Sequence, residues 1–218
     1  MKAHKQSKKY DAYEKIKNLI LTHQLIPGQK LVYRDLEEKI GMTKTPIISG
    51  LNMLEKEGFV VNKSNRGFYI SEIDAYEVEQ IFDLREKLEN LAIEYAIANY
   101  TNEDLLTLKE KLKGYIAYRS VVYDNKRLHL DTEFHLQIAK MSRNPFFFEI
   151  MKQFYEKIYF RLKFVYLTPH IGQFKKEHEM LLKAVEGRNL RNARKILKNH
   201  NRACRGYIID CEADCWGD

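Results

Sequence analysis

Residues 40–61 read IGMTKTPIISGLNMLEKEGFVV, and this stretch decides the first third of the chain. Ile47, Leu51 and Leu54 recur at i, i+4 and i+7, which puts them on one face of a helix. Thr43 stands where an N-cap is wanted, and Pro46 is tolerated in the first turn because its missing N–H has no intrahelical partner there. Glu57-Gly58 closes that helix. Upstream, Leu36 and Ile40 mark a short helix ending at Gly41. Further up, Tyr13, Ile16, Leu19 and Ile20 mark one over residues 10–23, stopped by the turn Leu25-Ile26-Pro27-Gly28. Downstream, Phe59-Val60-Val61 and Phe68-Tyr69-Ile70 flank a polar run, the pattern of a β-hairpin. Three helices and a two-stranded wing make a winged helix-turn-helix, placed over residues 1–73.

Charge agrees with that placement. Residues 1–73 carry 13 basic and 8 acidic side chains, net +5, out of +7 for all 218 residues, so this third is the better partner for a polyanion. In a helix-turn-helix the start of the second motif helix enters the major groove, so Thr43, Lys44 and Thr45, with Ile48 and Ser49, face bases and phosphates of double-stranded DNA. Arg34 and the wing-tip pair Arg66-Gly67 are placed to reach phosphates or a minor groove. The plainer alternative is that the threonines only cap a helix and Arg66 is an ordinary surface arginine.

From residue 74 to 218 the periodicity is helical throughout, with no Gly-rich phosphate loop, so the fold class is mainly α: a winged helix-turn-helix followed by an all-α bundle. Helices are expected at about 75–99, 102–122, 126–141, 145–167, 173–186 and 189–208, with Asp74 and Thr101 as N-caps. No window approaches the 18 apolar residues of a membrane span, and the basic start lacks an apolar leader. Three cysteines, Cys204, Cys211 and Cys215, lie past the last convincing helical turn, as in a frayed tail, and fit a reducing cytoplasm.

Asp131 and His135 are four apart on a helix, so their side chains share a face, which is the spacing of a two-ligand metal half-site or of an ordinary surface pair. His178 and His200 are equidistant from residue 189 in the Gly187-Arg188-Asn189 turn. In an antiparallel hairpin both lie about 16 Å from the turn and reach one height. One carboxylate and three imidazoles suit a first-row divalent ion and leave positions for water or a small ligand. His4, His23, His129 and His170 lack such geometry, His129 pointing about 200° around its helix from Asp131. Arg85 interrupts an apolar stripe of Ile81, Phe82, Leu88 and Ala92, so it either binds an anionic effector or pairs with Glu89 at i+4. The aromatic run Phe146, Phe147, Phe148, Phe154, Tyr155, Tyr159 and Phe160 reads as core or dimer packing.

The first domain resembles the GntR regulators through Ile26-Pro27-Gly28-Gln29-Lys30-Leu31, then Ile40 to Pro46, Leu51 to Val60 and Gly67. It departs from them in the recognition run. Lys44 and Ile48 stand where the family has arginines, and Ser49-Gly50 where it has Glu-Ala, which alters base specificity or weakens DNA binding. The second domain resembles the FCD ligand-binding domain of the FadR-like subclass through Leu84 to Glu89, Ala92, Asp131, Phe134-His135, Ser142 to Pro145, Glu177-His178, Ala184, Gly187 and Ala193 to His200. That likeness implies a homodimer, a zinc or nickel ion on Asp131, His135, His178 and His200, and a small carboxylate effector. The expected function is a ligand-responsive regulator binding operator DNA. Two alternatives are a metal-dependent hydrolase, for which no general base is positioned, and an effector-binding module with a weakened DNA head.

Overall fold

Apolar side chains at three- and four-residue spacing build the first unit of the chain, Met1–Ile73 in a division whose second unit is Asp74–Asp218. The structure, a computed structural model, describes residues 7–72, 75–120, 124–161 and 171–216. In the first unit, α1 (Lys8–Leu21), α2 (Tyr33–Ile40) and α3 (Lys44–Lys56) precede β1 (Val60–Lys63) and β2 (Gly67–Ile70). Ile16, Ile20, Leu36, Ile47, Leu51 and Leu54 close its core, each at most 1 % exposed. The strands pair antiparallel from Val60↔Ile70 to Lys63↔Gly67. The Gly28 turn lies alongside them, with Leu31 N donating to Phe68 O at 2.8 Å and Ile70 N to Gln29 O at 2.9 Å. Gly41 ends α2 in the left-handed conformation at φ 66°, which glycine adopts without penalty.

Two features hold α1 to α3. Gly50 lies so close to α1 that a Cβ there would stand 2.8 Å from Tyr13 N and 3.2 Å from Ala12 C, both backbone atoms. Lys17, 7 % exposed, donates to Tyr13 Oη and to Glu57 Oε2, each at 2.7 Å, while the Tyr13 hydroxyl donates to Glu57 Oε1. Burial first, and the Glu57 carboxylate with it, push the Tyr13 hydroxyl up to about 12. Thr43 occupies the N-cap of α3, yet its side chain makes no capping bond, contrary to the expectation that it caps the helix.

In the second unit α4 (Ala75–Asn99), α5 (Asn102–Ala117), α6 (Asn125–Met141), α7 (Pro145–Arg161), α8 (Ile171–Glu186) and α9 (Leu190–Trp216) form a bundle without strands among the described residues. Thr101 caps α5 in a reciprocal capping box with Asp104; the expected Asp74 cap lies outside the described residues. Ile93, Leu108, Phe134, Leu181 and Leu197, from α4, α5, α6, α8 and α9, share one core, and Phe82, Leu128, Ile158, Phe174 and Cys204 another. No helix among the described residues is long and apolar enough to cross a membrane.

Three expectations need correction. α5 stops at Ala117 instead of near 122, because Tyr118 turns extended and Arg127 takes the carbonyls of Tyr118 and Ser120. α9 runs to Trp216 instead of 208, because Ala203, Tyr207 and Ile209 continue its packing face against Phe174 and its neighbours. Cys204 is therefore a buried residue of α9 and no part of a frayed tail. Cys211 and Cys215 lie on the helical backbone of α9, but their side chains, those of Tyr159 and Phe160, and all of His4 and His170 fall outside what the structure describes. Phe147 and Phe148 pack against Ala92 and Tyr155, whereas Phe146 is exposed.

Gly50→Ala forces the α1 and α3 backbones apart, and overpacking of this kind costs about 1–3 kcal/mol. Thermal unfolding of the full chain is expected to show a lower midpoint for the head; an unchanged curve contradicts the close approach.

Candidate metal centre

Asp131 and His135 leave the same face of α6, one turn apart, and meet His178 from α8 and His200 from α9. All four are buried, and one ligating atom from each lies within 4.8 Å of the other three. His135 Nε2 stands 3.1 Å from His178 Nε2, and His178 Nε2 stands 3.2 Å from Asp131 Oδ1. Atoms bound about 2.0–2.2 Å from one ion sit about 3 Å from each other at tetrahedral or octahedral angles, so these separations are compatible with one ion between them.

The tautomers follow from the outer bonds. His178 Nδ1–H donates to Phe174 O at 2.7 Å, which leaves its Nε2 for His135 and Asp131, and His200 Nδ1–H donates to Glu177 Oε2 at 2.8 Å. Burial would lower His200, but Cys204 and the Glu177 carboxylate hold it well above its ordinary value. At 3.1 Å the Nε2 atoms of His135 and His178 are joined either by a proton carried on one of them or by a cation shared between them. A proton is a poor choice at two of the rings. Burial, with the neighbouring imidazoles, holds His135 well below its ordinary value and His178 below it, Asp131 acting in the opposite sense. Burial would raise the Asp131 carboxyl, but His178 and the other two histidines hold it below the carboxylate range. Asp131 Oδ1 and His135 Nδ1 are buried without a hydrogen-bond partner. The donor set and its orphaned atoms thus fit a divalent cation.

Around the cluster lie Arg85 and Glu89, whose pairing the sequence offered, and Asn201, Tyr115 and Arg127, which sequence reasoning passed over. Arg85 is 3 % exposed, and its Nε donates to Glu89 Oε1 at 2.9 Å, so the i+4 pairing is formed. Tyr155 Oη donates to the same oxygen and Asn201 Nδ2 to Glu89 Oε2, both at 2.6 Å. The Arg85 guanidinium lies 4.4 Å over the Tyr155 ring and keeps Nη2 buried without a partner. Cys204 Sγ is 3.5 Å from His200 Nε2, and the Tyr115 ring is 4.6 Å from that of His178. Arg127, one turn before Asp131 on the same stripe, is fully buried. Its i−4 position was the available signal; the partners of Glu89 are 66 and 112 residues away and left none.

The six residues expected at DNA are distributed along the head. Arg34 is exposed at the start of α2, 3.4 Å from Glu38. Thr43, Lys44 and Thr45 are exposed at the start of α3, the Lys44 ammonium 4.9 Å over the Tyr33 ring, while Ile48 is half-buried. Arg66 is exposed in the hairpin turn, between Asn65 at φ 60° and Gly67 at φ 87°. His129 is exposed, as its helical angle implies.

Residues 80–203 match the family model described as the FCD domain, and residues 8–70 match that of the bacterial regulatory proteins of the gntR family. The chain is 25 % identical over 195 residues to the uncharacterized HTH-type transcriptional regulator YdhC of Bacillus subtilis, covering 88 % of this chain and 87 % of that one. It is 25 % identical over 142 residues to the Nta operon transcriptional regulator of Aminobacter aminovorans, 65 % and 67 % of the two chains. The solved structure of Escherichia coli McbR/YncC shares the fold, with a TM-score of 0.82, 21 % identity and coverage of 94 % and 99 %.

The buried Arg85–Glu89 pair generates its own expectation. Glu89→Ala leaves a guanidinium without its anion, at a cost of about 3–5 kcal/mol, whereas Tyr155→Phe removes one hydrogen bond and costs about 1 kcal/mol. Denaturant unfolding of both variants separates the two values; equal losses contradict the network.

Proposed function

We infer that this chain, which belongs to the GntR family of bacterial regulatory proteins and carries that family's FCD domain, senses a small carboxylate at a divalent ion and adjusts its grip on operator DNA. The family and the relatives are transcriptional regulators and not enzymes, which removes the hydrolase alternative. The convergence of Asp131, His135, His178 and His200, buried and with two tautomers set by Phe174 O and Glu177, carries the sensing half of the reading. Zinc suits three imidazoles and a carboxylate, with nickel or another first-row ion as the alternative. A bound ion supplies a Lewis-acidic centre with positions left for a carboxylate oxygen. Arg85, held by Glu89 with Nη2 unpartnered, adds positive potential for such an anion.

The chain's own part is to tie α6, α8 and α9 together at one point. As a homodimer on a two-fold operator, with half-sites about one helical turn apart, the protein tolerates little change in the spacing of its heads, so a small rearrangement of these helices alters affinity. Lys44, Arg34 and Arg66 neutralise phosphates, Thr43 and Thr45 present hydroxyls to base edges, and Gly67 lets the wing tip approach the backbone. Gly50 does not favour the weakened-head alternative, because the close approach of α1 requires a glycine there.

Metal analysis of the purified protein is expected to give one divalent ion per chain, lost in His178→Ala. Saturating carboxylate is expected to shift operator affinity in a gel-shift assay for the wild type and not for that variant. Lys44→Ala is expected to weaken binding to all sequences and reduce the slope of log K against log salt by about 1. A metal-free wild type, or an operator affinity indifferent to carboxylates, overturns the sensing account.

A further inference from the structure

Arg127 is fully buried on α6, yet only one of its guanidinium nitrogens is used. Nη2 donates to the carbonyls of Tyr118 and Ser120, which end α5, while Nε and Nη1 have no hydrogen-bond partner. A guanidinium stays charged at any physiological pH, and burying it without an anion is costly. Among the described residues no carboxylate is within ion-pairing distance of it. Asp124, which its charge reaches, receives the Arg127 backbone N–H and the Tyr118 hydroxyl instead.

The surroundings repeat the pattern. The guanidinium lies 5.3 Å over the Tyr115 ring, and the Tyr115 hydroxyl is also buried without a partner. Lys175, donating to Ile116 O, is pushed below the lysine range by burial and by the charges of Arg127 and Arg119. The excess positive charge and the idle donors adjoin the cluster directly, because Arg127 precedes Asp131 by one turn and Tyr115 packs on His178.

We propose that Arg127 and Tyr115 form a second anion-binding subsite beside the four-residue cluster, so that the effector carries two anionic groups. One belongs to the cation, and the other is a carboxylate or phosphonate-like group for a free N–H of Arg127 with the Tyr115 hydroxyl as an added donor. The proposal rests on the reading of a carboxylate effector at a metal. Both parallel-bond edges of the guanidinium share Nη2, which Tyr118 and Ser120 occupy, so the free Nε–H and Nη1–H each offer an oxyanion a single charge-assisted bond.

The test is calorimetry on the zinc-loaded full chain with acetate, succinate, glutarate, adipate and 3-phosphonopropionate. At least one two-anion probe is expected to bind about tenfold or more tighter than acetate, in line with hydrogen bonds to charged groups. Arg127→Gln is expected to reduce that probe to the acetate level while zinc content and acetate affinity hold. Tyr115→Phe gives the complementary reading and does not depend on the fate of the arginine variant. Removing an unpaired buried hydroxyl is expected to raise the melting temperature, yet to weaken the two-anion probe several-fold, a split that a structural role does not produce. Equal affinity for acetate and every two-anion probe, or a preference that survives both substitutions, overturns the subsite and leaves the metal–carboxylate reading standing. Absence of zinc and of all carboxylate binding overturns both.

Discussion

Four electron-rich atoms facing one another in a dry interior set the terms for the helical unit. Asp131, His135, His178 and His200 bring a carboxylate oxygen and imidazole nitrogens within 4.8 Å of one another, an arrangement that could hold a cation. The outer bond to Phe174 leaves Nε2 of His178 for the cluster, and the surrounding apolar core, with Phe134 edge-on to His178 at 4.9 Å, keeps the dielectric low. A low dielectric magnifies both the repulsion among the ligands and the attraction of a cation.

Much of this was legible in local spacing. The i, i+4 relation of Asp131 and His135, and the equal distances of His178 and His200 from the Gly187-Arg188-Asn189 turn, are helical arithmetic, and the structure places the four side chains together. The wing followed from two apolar triplets around a polar run. What stayed hidden depends on partners remote in sequence. Besides the i+4 donor Arg85, Glu89 collects donors from Tyr155 and Asn201 on two further helices, and no periodicity joins those to it. Arg127 went unremarked in the sequence, and it lies over Tyr115 and Tyr118 of the preceding segment. Cys204 seemed to belong to a tail because the polar run around Arg205-Gly206 masked the apolar face that Tyr207 and Ile209 continue.

The head teaches a related lesson about departures from a family pattern. A glycine in a recognition helix suggests loss of function when only the alphabet is compared. Here Gly50 lets two backbones touch, and the Lys17–Tyr13–Glu57 network fastens the same pair of helices a turn away. The glycine at this position therefore has a reason inside the head.

The symmetry of the α8–α9 hairpin limits how such a bundle can diversify. Each imidazole sits eleven residues from the bend at Asn189. A single insertion or deletion inside either arm swings its histidine by about 100° and shifts it by about 1.5 Å, out of reach of its companions. Length variation among descendants of this chain is thereby confined to the outer ends of the two helices and to the bend itself, while the arms behave as a ruler that drift can recolour but not re-cut.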